Sequence, residues 1–131
     1  MKILIAGEGG QGIQTAARVL AQAAFNEGKK VLYIPNFGVE QRGGISLAFV
    51  VIDNQPVVYP KFEKADILVA LSPQAMERIK PYQSSQSKLI KPVNNILALK
   101  EIIKLSGIVK KETVSQLLKE KLGEKFNDEE F

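Results

Sequence analysis

A glycine-rich stretch near the start of the chain is the first candidate for a binding site. It occupies residues 7–12, reads GEGGQG, and lies between a short apolar run and a long alanine-rich segment. Glycine lets the backbone turn tightly and leaves its N–H groups open to a ligand. An anion could then rest on the N-terminus of a helix that begins here. The candidate contact residues in this stretch are Gly7, Gly9, Gly10, Gln11 and Gly12.

A second glycine-rich loop, residues 36–44, contains the other candidate residues. In it, Arg42 is followed directly by Gly43 and Gly44. A guanidinium group can bind a carboxylate or phosphate through two parallel hydrogen bonds, and the glycines would let that group come close. Arg42 could instead pair with Glu40 across a turn or fix a subunit interface. Arg42, Gly43 and Gly44 are therefore candidates for an anion contact or for subunit docking.

Both loops are expected to follow strands of one sheet. Residues 3–6 are continuously apolar, as in a strand covered on both faces, and residues 30–34 are strand-like and end at Pro35. Between them, apolar residues at helical spacing predict a helix that begins near Gly10 and stops before Gly28. Such a βαβ unit predicts parallel strands and a right-handed crossover. Both loops would then emerge at the carboxyl edge, where open α/β sheets bind ligands.

The rest of the chain predicts a mixed sheet. Residues 45–52 and 57–59 look like a hairpin joined by a polar turn, and the flanking prolines suggest that the second arm is an edge strand. Residues 65–71 predict a buried strand, followed by a helix that Ser72 caps. Residues 89–90 indicate a linker or an abbreviated strand. Two further helices are expected, one from about Asn94 to Gly107 and one from about Lys111 to Gly123.

These elements predict a single α/β domain over residues 1–131. The expected fold is a three-layer, Rossmann-like open mixed sheet, mostly parallel with one hairpin, and with helices on both faces. A chain of this length buries roughly two thirds of its unfolded surface, which is enough for a real core.

The composition excludes several kinds of chemistry. The chain has no cysteine and no histidine, so it offers neither thiolate ligands for an iron–sulfur cluster nor a Ser-His-Asp or Cys-His arrangement. We therefore expect no catalytic residue and no metal ligands. The net charge of +4 comes without a basic stripe, which argues against nucleic-acid binding. No apolar run approaches the ~20 residues of a bilayer helix and no signal peptide is evident, so a cytoplasmic protein without membrane association is expected.

Dinucleotide binding is one interpretation of the first loop. Gly7, Gly9 and Gly12 fit the GxGxxG fingerprint. That fingerprint also needs an acidic residue near the end of the second strand, which binds the ribose hydroxyls. Residues 34–36 are Ile, Pro and Asn, and the next acid is Glu40, inside the following loop. The NAD or FAD interpretation is weakened accordingly, and a stand-alone Rossmann-like nucleotide- or anion-binding module remains the alternative function.

Four landmarks in the sequence together resemble one known family. They are GEGGQG at residues 7–12, FGVEQRGG at residues 37–44, ADILVALS at residues 65–72 and LSGIV at residues 105–109. Phe37 and Val39 take the tyrosine and proline places of the family's YGPExRGG loop. The combination is similar to the gamma subunit of 2-oxoacid:ferredoxin oxidoreductases, a family that includes the pyruvate, 2-oxoglutarate, ketoisovalerate and indolepyruvate enzymes.

The resemblance implies a function that the chain performs only within a complex. Such complexes oxidatively decarboxylate a 2-oxoacid with coenzyme A to an acyl-CoA and CO2, and they pass electrons to ferredoxin. Thiamine diphosphate, magnesium and iron–sulfur clusters are then expected in partner subunits, namely alpha, beta and in some complexes delta. This chain would hold none of them, would be inactive alone, and would shape subunit packing and access to the active site. Its glycine loops and Arg42 would contact coenzyme A or a partner subunit.

One departure from the family concerns length. Family members usually have further strands between the helix after Ser72 and the closing helices, whereas this chain passes through that region in residues 82–91. The short segment is either a natural deletion or a sign of an incomplete sequence. The identity of the 2-oxoacid does not follow from this chain, because other subunits would select it.

Overall fold

The computed structural model describes residues 1–36, 44–57, 63–92 and 94–125. Short 3-10 turns follow the second and fourth helices, at Lys80–Tyr82 and Gly123–Lys125. Within the described residues the elements, in chain order, are β1 (Lys2–Glu8), α1 (Ile13–Asn26), β2 (Lys30–Asn36), β3 (Ile45–Asp53), β4 (Ile67–Ala70), α2 (Pro73–Ile79), β5 (Lys88–Ile90), α3 (Asn95–Ser106) and α4 (Lys111–Leu122).

The five strands form one open mixed sheet in the order β2-β3-β1-β4-β5. Strand β1 pairs in parallel with β4, and β4 pairs in parallel with β5. Strand β3 is antiparallel to both of its neighbours, β1 and β2. Strands β1 and β2 therefore run in the same direction, as predicted, but they are not neighbours because β3 lies between them.

The position of the antiparallel pair differs from the sequence prediction. Residues 45–52 were expected to pair with residues 57–59, but both edges of β3 are occupied along its length by β1 and β2. A strand has only two edges, so that pairing is wrong and the antiparallel connection joins β2 to β3 instead. Val57 lies outside any strand, and residues 58–59 fall outside the described part of the chain.

Two boundaries also need correction. Strand β2 does not end at Pro35 but includes it and continues to Asn36. Proline is tolerated here because β2 lies at the edge of the sheet, where a missing N–H leaves no ladder hydrogen bond unmade. Helix α1 begins at Ile13 rather than near Gly10, since Gly12 has a left-handed backbone conformation that the helix cannot continue through.

Helices cover both faces of the sheet, which confirms the three-layer α/β architecture. Alternate residues of β1 point to opposite faces: Ile3 and Ile5 pack into the core beneath α1, α3 and α4, whereas Leu4 and Ala6 pack into the core beneath α2. All four side chains are fully buried. Burial of a large aliphatic side chain contributes about 1.5–3 kcal/mol. With three such side chains, Ile3, Leu4 and Ile5, the central strand is a main source of stability.

Helix α2 has the predicted Ser72 cap, and α3 begins where a helix start was predicted. Ser72 accepts a hydrogen bond from the Ala75 N–H at 3.1 Å, and Asn94 accepts one from the Leu97 N–H at 2.9 Å. Strand β5 is the abbreviated strand expected near residues 89–90. Within the described residues, none of the helices combines the length and apolar character needed to cross a bilayer.

A polar network ties the end of α1 to the turn between α3 and α4. The Glu27 carboxylate accepts a hydrogen bond from the Lys110 N–H at 2.7 Å and forms an ion pair with Lys29 at 3.2 Å. Lys29 also donates to the carbonyl oxygen of Ile108. Burial raises the pKa of Glu27, but hydrogen bonds from Lys110, Thr113 and Lys29 outweigh burial and hold that pKa below its ordinary value. The ionised form of Glu27 therefore stabilises the fold.

Candidate functional site at the carboxyl edge of the sheet

The glycine stretch after β1 and the residue that enters β3 line one cleft. Strands β1 and β2 run in the same direction, so their carboxyl ends lie at the same edge of the sheet, as predicted from the sequence. Glu8 pairs with Ile45, which places Gly44 beside the first loop. The cleft has a volume of about 480 Å³ and is lined by Glu8, Gly9, Gly10, Gly12, Ile13, Gln14, Thr15, Gly44, Ile45 and Ser46. Arg42 and Gly43 lie outside the described residues.

Gly7 and Gln11 shape the loop from the inside. The Gln11 side-chain oxygen accepts a hydrogen bond from the Glu8 N–H at 2.6 Å, and its NH₂ group donates to the Leu71 carbonyl oxygen at 3.3 Å. A Cβ atom on Gly7 would lie 2.5 Å from Ile13 Cδ1 and 2.7 Å from Gln11 Oε1. The Gln11 amide is thus engaged at both ends, and Gly7 makes room for it.

Gly9 and Gly10 form the open part of the loop. Both are exposed, and a Cβ atom on either residue would meet nothing within 4 Å. Here the surface of the cleft is bare backbone. Gly9 and Gly10 therefore leave space for an incoming group. Gln11 is already hydrogen-bonded within the protein, and Gly7 makes room for its side chain.

Gly12 joins the loop to α1 and to α3. Its φ of 74° is left-handed, and its carbonyl oxygen accepts the first hydrogen bond of α1, from the Ala16 N–H at 3.0 Å. A Cβ atom on Gly12 would lie 2.3 Å from Asn95 Nδ2, and that amide donates to the Gly12 carbonyl oxygen at 3.3 Å. Only glycine satisfies both the backbone conformation and the close approach of Asn95.

The N-terminus of α1 gives the cleft an electropositive wall. No side chain caps this helix and its first turn contains no acidic residue. The first N–H groups of a helix have no intrahelical acceptor, and the helix dipole adds a partial positive charge at that end. Glu8 contributes a carboxylate to the same cleft. An anionic group would consequently be favoured on the side of Gly9, Gly10 and the helix end.

Gln14 is a site residue that the sequence reasoning missed. Its NH₂ group donates to Ser46 Oγ and to the Leu47 carbonyl oxygen, both at 2.8 Å. Its oxygen accepts a hydrogen bond from the Tyr33 hydroxyl. One amide thus links α1 to β2 and β3 at the floor of the cleft. In the sequence, Gln14 falls between the apolar positions of the predicted helix, and no local signal could reveal partners that lie in other strands.

The described lining of the cleft offers groups that can bind a ligand. They are backbone groups, a helix N-terminus, an amide, hydroxyl groups and the Glu8 carboxylate. Among the described residues, no group of three acidic, cysteine or histidine side chains is placed to hold a metal ion.

Comparison with known proteins identifies the family. The family model described as pyruvate ferredoxin/flavodoxin oxidoreductase matches residues 2–91. The chain belongs to this family. This result confirms the resemblance drawn from the four sequence landmarks.

Two relatives within the pyruvate ferredoxin/flavodoxin oxidoreductase family carry the same description, the common subunit gamma of pyruvate/ketoisovalerate oxidoreductases. The Thermococcus kodakarensis protein is 32% identical over 167 aligned positions, which cover 95% of this chain and 90% of that protein. The Pyrococcus furiosus protein is 39% identical over 98 residues, which cover 74% of this chain. In that second alignment the chain spans about half of the relative, 53% of its length.

A solved structure confirms the fold. It is the 2-oxoglutarate:ferredoxin oxidoreductase from Magnetococcus marinus with 2-oxoglutarate, coenzyme A and succinyl-CoA bound, and the superposition has a TM-score of 0.85 at 20% sequence identity. The match covers 98% of this chain and 28% of that chain. At this level of identity, the likeness shows a shared architecture.

Proposed function

We propose that this chain is the gamma subunit of a multi-subunit 2-oxoacid:ferredoxin oxidoreductase in the cytoplasm. The complex would convert a 2-oxoacid and coenzyme A to an acyl-CoA and CO2 and pass the electrons to ferredoxin. The observation that carries the proposal is the alignment with the T. kodakarensis gamma subunit, which runs through nearly the whole of both chains. The M. marinus enzyme supports it, because there the similar fold is one part of a longer chain.

In the proposed complex, the redox cofactors belong to the partner subunits. A chain without cysteine cannot supply the thiolates that hold iron–sulfur clusters. Thiamine diphosphate, magnesium and the clusters would therefore reside in alpha, beta and, where present, delta subunits. The role of this chain is then to pack against those subunits and to shape access to the active site.

The carboxyl-edge cleft is the proposed point of contact. It combines the exposed backbone of Gly9 and Gly10 with an uncapped helix N-terminus. Gly44, two residues after Arg42 in the sequence, lines the same cleft. These features suit a partner loop or a phosphate group of coenzyme A.

The short segment at residues 82–91 is proposed to be the place where the chain has lost residues relative to the family. The alignment with the T. kodakarensis protein has 167 positions and is longer than the 131-residue chain, so part of the relative lies opposite gaps. In the structure, only the short strand β5 and its flanking turns connect α2 to α3. A compact single domain over residues 1–131 is consistent with this shortening.

Isolation of the native complex tests the proposed function. An affinity tag on this chain should co-purify larger subunits in fixed stoichiometry, together with thiamine diphosphate and iron–sulfur absorbance. The purified complex should reduce ferredoxin with one or more of pyruvate, 2-oxoglutarate and ketoisovalerate, in a reaction that requires coenzyme A. Recovery of the tagged chain alone, without cofactor-bearing subunits, would contradict the proposal.

Titration of that complex with coenzyme A tests the role of Arg42. If Arg42 pairs with a coenzyme A phosphate, Arg42→Ala should weaken binding by roughly 10- to 100-fold, as for loss of a charge-assisted hydrogen bond of about 1.5–3 kcal/mol. Arg78→Ala, which replaces an exposed arginine of α2, is the matched control. Unchanged coenzyme A affinity in Arg42→Ala would leave subunit docking as the role of the loop.

A stand-alone nucleotide- or anion-binding module is the second candidate function. The bare backbone at Gly9 and Gly10 beside the end of α1 favours it. Under this alternative the isolated chain should bind NAD, FAD or ATP. A ligand at about 100 times its Kd stabilises a protein by roughly 2.7 kcal/mol, which a thermal-shift screen detects readily. No shift with any nucleotide, together with co-purification of larger subunits, would decide for the complex.

A further inference from the structure

An apolar groove lies between α1, α4 and the edge strand β2. Its volume is about 580 Å³, and its apolar lining includes Val19 and Phe25 of α1, Val31 of β2 and Leu117 of α4. A second hollow of about 490 Å³ lies at the start of β2 and shares Phe25 and Val31 with the first. The two hollows thus form one continuous surface, the Phe25 groove.

Phe25 gives this groove the character of a binding surface. It is 66% exposed, the greater exposure of the two exposed large hydrophobic residues in the described chain. A single exposed hydrophobic residue is ordinary, but Phe25 lines the groove together with Val31 and Leu117, which are only partly buried. Contiguous exposed apolar surface is typical of protein interfaces. The groove can therefore accept apolar side chains of a partner.

The charges around the groove are mainly positive. Arg18 and Lys121 line the larger hollow, Lys30 lines the smaller one, and all three are exposed. Within the described residues, none of these three cations forms an ion pair. Glu120 is the single acidic residue of the described lining, and it already accepts a hydrogen bond from the Gln116 amide at 3.3 Å. Positive charge is therefore left in excess at the rim.

A fourth cation of the lining, Lys29, is already engaged within the fold. It forms an ion pair with Glu27 at 3.2 Å and donates to the carbonyl oxygen of Ile108. The charge that is available to a partner therefore comes from the other three cations.

The elements place each available cation beside the apolar lining. Arg18 and Phe25 are about two turns apart on α1, and Leu117 and Lys121 are one turn apart on α4. Residues at these spacings lie on the same face of a helix. Lys30 directly precedes the apolar part of β2. A complementary ligand must consequently carry apolar and negative groups close together.

We propose that the Phe25 groove binds an acidic segment of another protein, in which apolar side chains are flanked by aspartate or glutamate. The apolar side chains of this segment cover Phe25 and Val31, and its carboxylates face Arg18, Lys30 and Lys121. Opposite charges at the rim of an interface speed association and select the partner. A second copy of the groove would instead set cations against cations.

The apolar lining favours a protein partner over a nucleic acid. Phosphates would match the cations, and one base could stack on Phe25. The aliphatic side chains of Val31 and Leu117 would then stay in contact with water. Apolar side chains of a protein segment cover them.

The Phe25 groove is separate from the carboxyl-edge cleft. None of the described residues that line the groove also lines the cleft. The inference therefore goes beyond the proposed function. Because peptide binding is measured on the isolated chain, either proposal can fail without the other.

Selection from a phage-displayed library of random peptides on the full chain tests the groove. We expect the enriched peptides to combine acidic with apolar residues and to bind more weakly as the salt concentration rises. Phe25→Ala should weaken their binding by at least about 10-fold, because an interface aromatic is lost. Leu105→Ala is the matched control, since Leu105 is the other exposed large hydrophobic residue and lies outside both hollows. Circular dichroism checks that both variants remain folded.

Charge reversal tests the electrostatic match. Arg18→Glu combined with Lys121→Glu should weaken binding by at least about 10-fold, since two attractive contacts become repulsive. Peptides whose acidic residues are replaced by lysine should bind this double variant better than the wild type. Lys100→Glu combined with Lys104→Glu, at exposed lysines of α3 outside the groove, is the matched control. Enrichment of no peptide, or of peptides without acidic residues, would overturn the proposal, as would binding that the Phe25 and Arg18/Lys121 variants leave unchanged.

Two other occupants are distinguished by the same peptides. The chain's own C-terminus is acidic, with Asp128, Glu129 and Glu130. Peptides that bind only a full chain carrying Asp128→Asn, Glu129→Gln and Glu130→Gln would assign the groove to that C-terminus. Displacement of the peptides by a single-stranded DNA oligonucleotide would assign it to nucleic acid. Either result would overturn the proposal, whereas equal binding by the wild type and the neutralised chain, without displacement by DNA, would support it.

Cross-linking of the protein isolated from its own cells tests for the natural partner. A carbodiimide joins a lysine amine directly to a neighbouring carboxylate, and mass spectrometry identifies the linked residues. We expect Lys30 or Lys121 to be linked to an aspartate or glutamate of another protein. Links from these lysines only to residues of the same chain, or no links from them, would contradict the proposal.

Discussion

The contact between Gly12 and Asn95 gives the sharpest test of how the glycine loop is held. Gly12 and Gly10 both have left-handed backbone conformations, with φ of 74° and 89°. A Cβ atom on Gly12 would lie 2.3 Å from Asn95 Nδ2, whereas one on Gly10 would meet nothing within 4 Å. Alanine at the two positions therefore carries the same backbone penalty and differs only in the contact with Asn95.

The magnitudes follow from these two terms. A left-handed alanine costs about 1–2 kcal/mol, and stiffening of the unfolded chain offsets about 0.4–1 kcal/mol of that cost. Gly10→Ala should thus destabilise by about 1 kcal/mol. Gly12→Ala must also turn the Asn95 amide away, which loses its hydrogen bond to the Gly12 carbonyl oxygen and adds about 1–2 kcal/mol. The expected destabilisation by Gly12→Ala is about 2–3 kcal/mol.

A double-mutant cycle isolates the contact. Urea denaturation followed by circular dichroism gives the free energy of unfolding for the wild type and each variant. In an Asn95→Ala background the clash is absent, so Gly12→Ala should then cost no more than Gly10→Ala does. Equal destabilisation by the two single alanines would refute this reasoning, as would a cost of Gly12→Ala that Asn95→Ala leaves unchanged.

Three further predictions concern the polar groups that hold the fold. Gln11→Ala should destabilise by about 1–3 kcal/mol, because the Glu8 N–H loses its acceptor, and hydrogen exchange at that N–H should accelerate. Ser72→Ala should cost about 1 kcal/mol in urea denaturation through loss of the α2 cap, and Ser72→Asp should restore it. The pKa of Glu27 is held below its ordinary value, so its stabilisation is fully present above the ordinary glutamate pKa and is lost as pH falls through the lowered pKa. Glu27→Gln should therefore reduce the loss of unfolding free energy as the pH falls through this acidic range. An unchanged pH dependence in denaturation curves would contradict this prediction.

Local signals accounted for much of the fold. The buried run of β1, the serine cap of α2, the start of α3 near Asn94 and the glycine that ends α3 were all predicted from short stretches of sequence. Each of these features depends on the chemistry of residues that are near one another in the chain. The four family landmarks added the resemblance to 2-oxoacid:ferredoxin oxidoreductases, which the local chemistry of the glycine loops had left open.

The neighbours of each strand could not be predicted in the same way. Pairing depends on which faces and edges are covered in the folded sheet, and that information is spread over distant residues. Pro35 was the available signal: a proline inside β2 marks an edge strand, and the edge was instead assigned to residues 57–59 because prolines flank them. Gln14 and Asn95 were missed for a similar reason, since their hydrogen-bond partners lie in other elements.

The position of β3 explains why Gly44, the last residue of the second glycine-rich stretch, lies beside the first glycine-rich loop. In a simple βαβ unit, β1 and β2 would be adjacent and their following loops would leave the sheet side by side. Here β3 lies between the two strands and runs the opposite way, so the start of β3 lies at the same edge as the carboxyl ends of β1 and β2. Gly44 arrives there beside Glu8, at the rim of the first loop. The insertion of one antiparallel strand therefore brings the start of β3 to the N-terminus of α1 and creates the cleft.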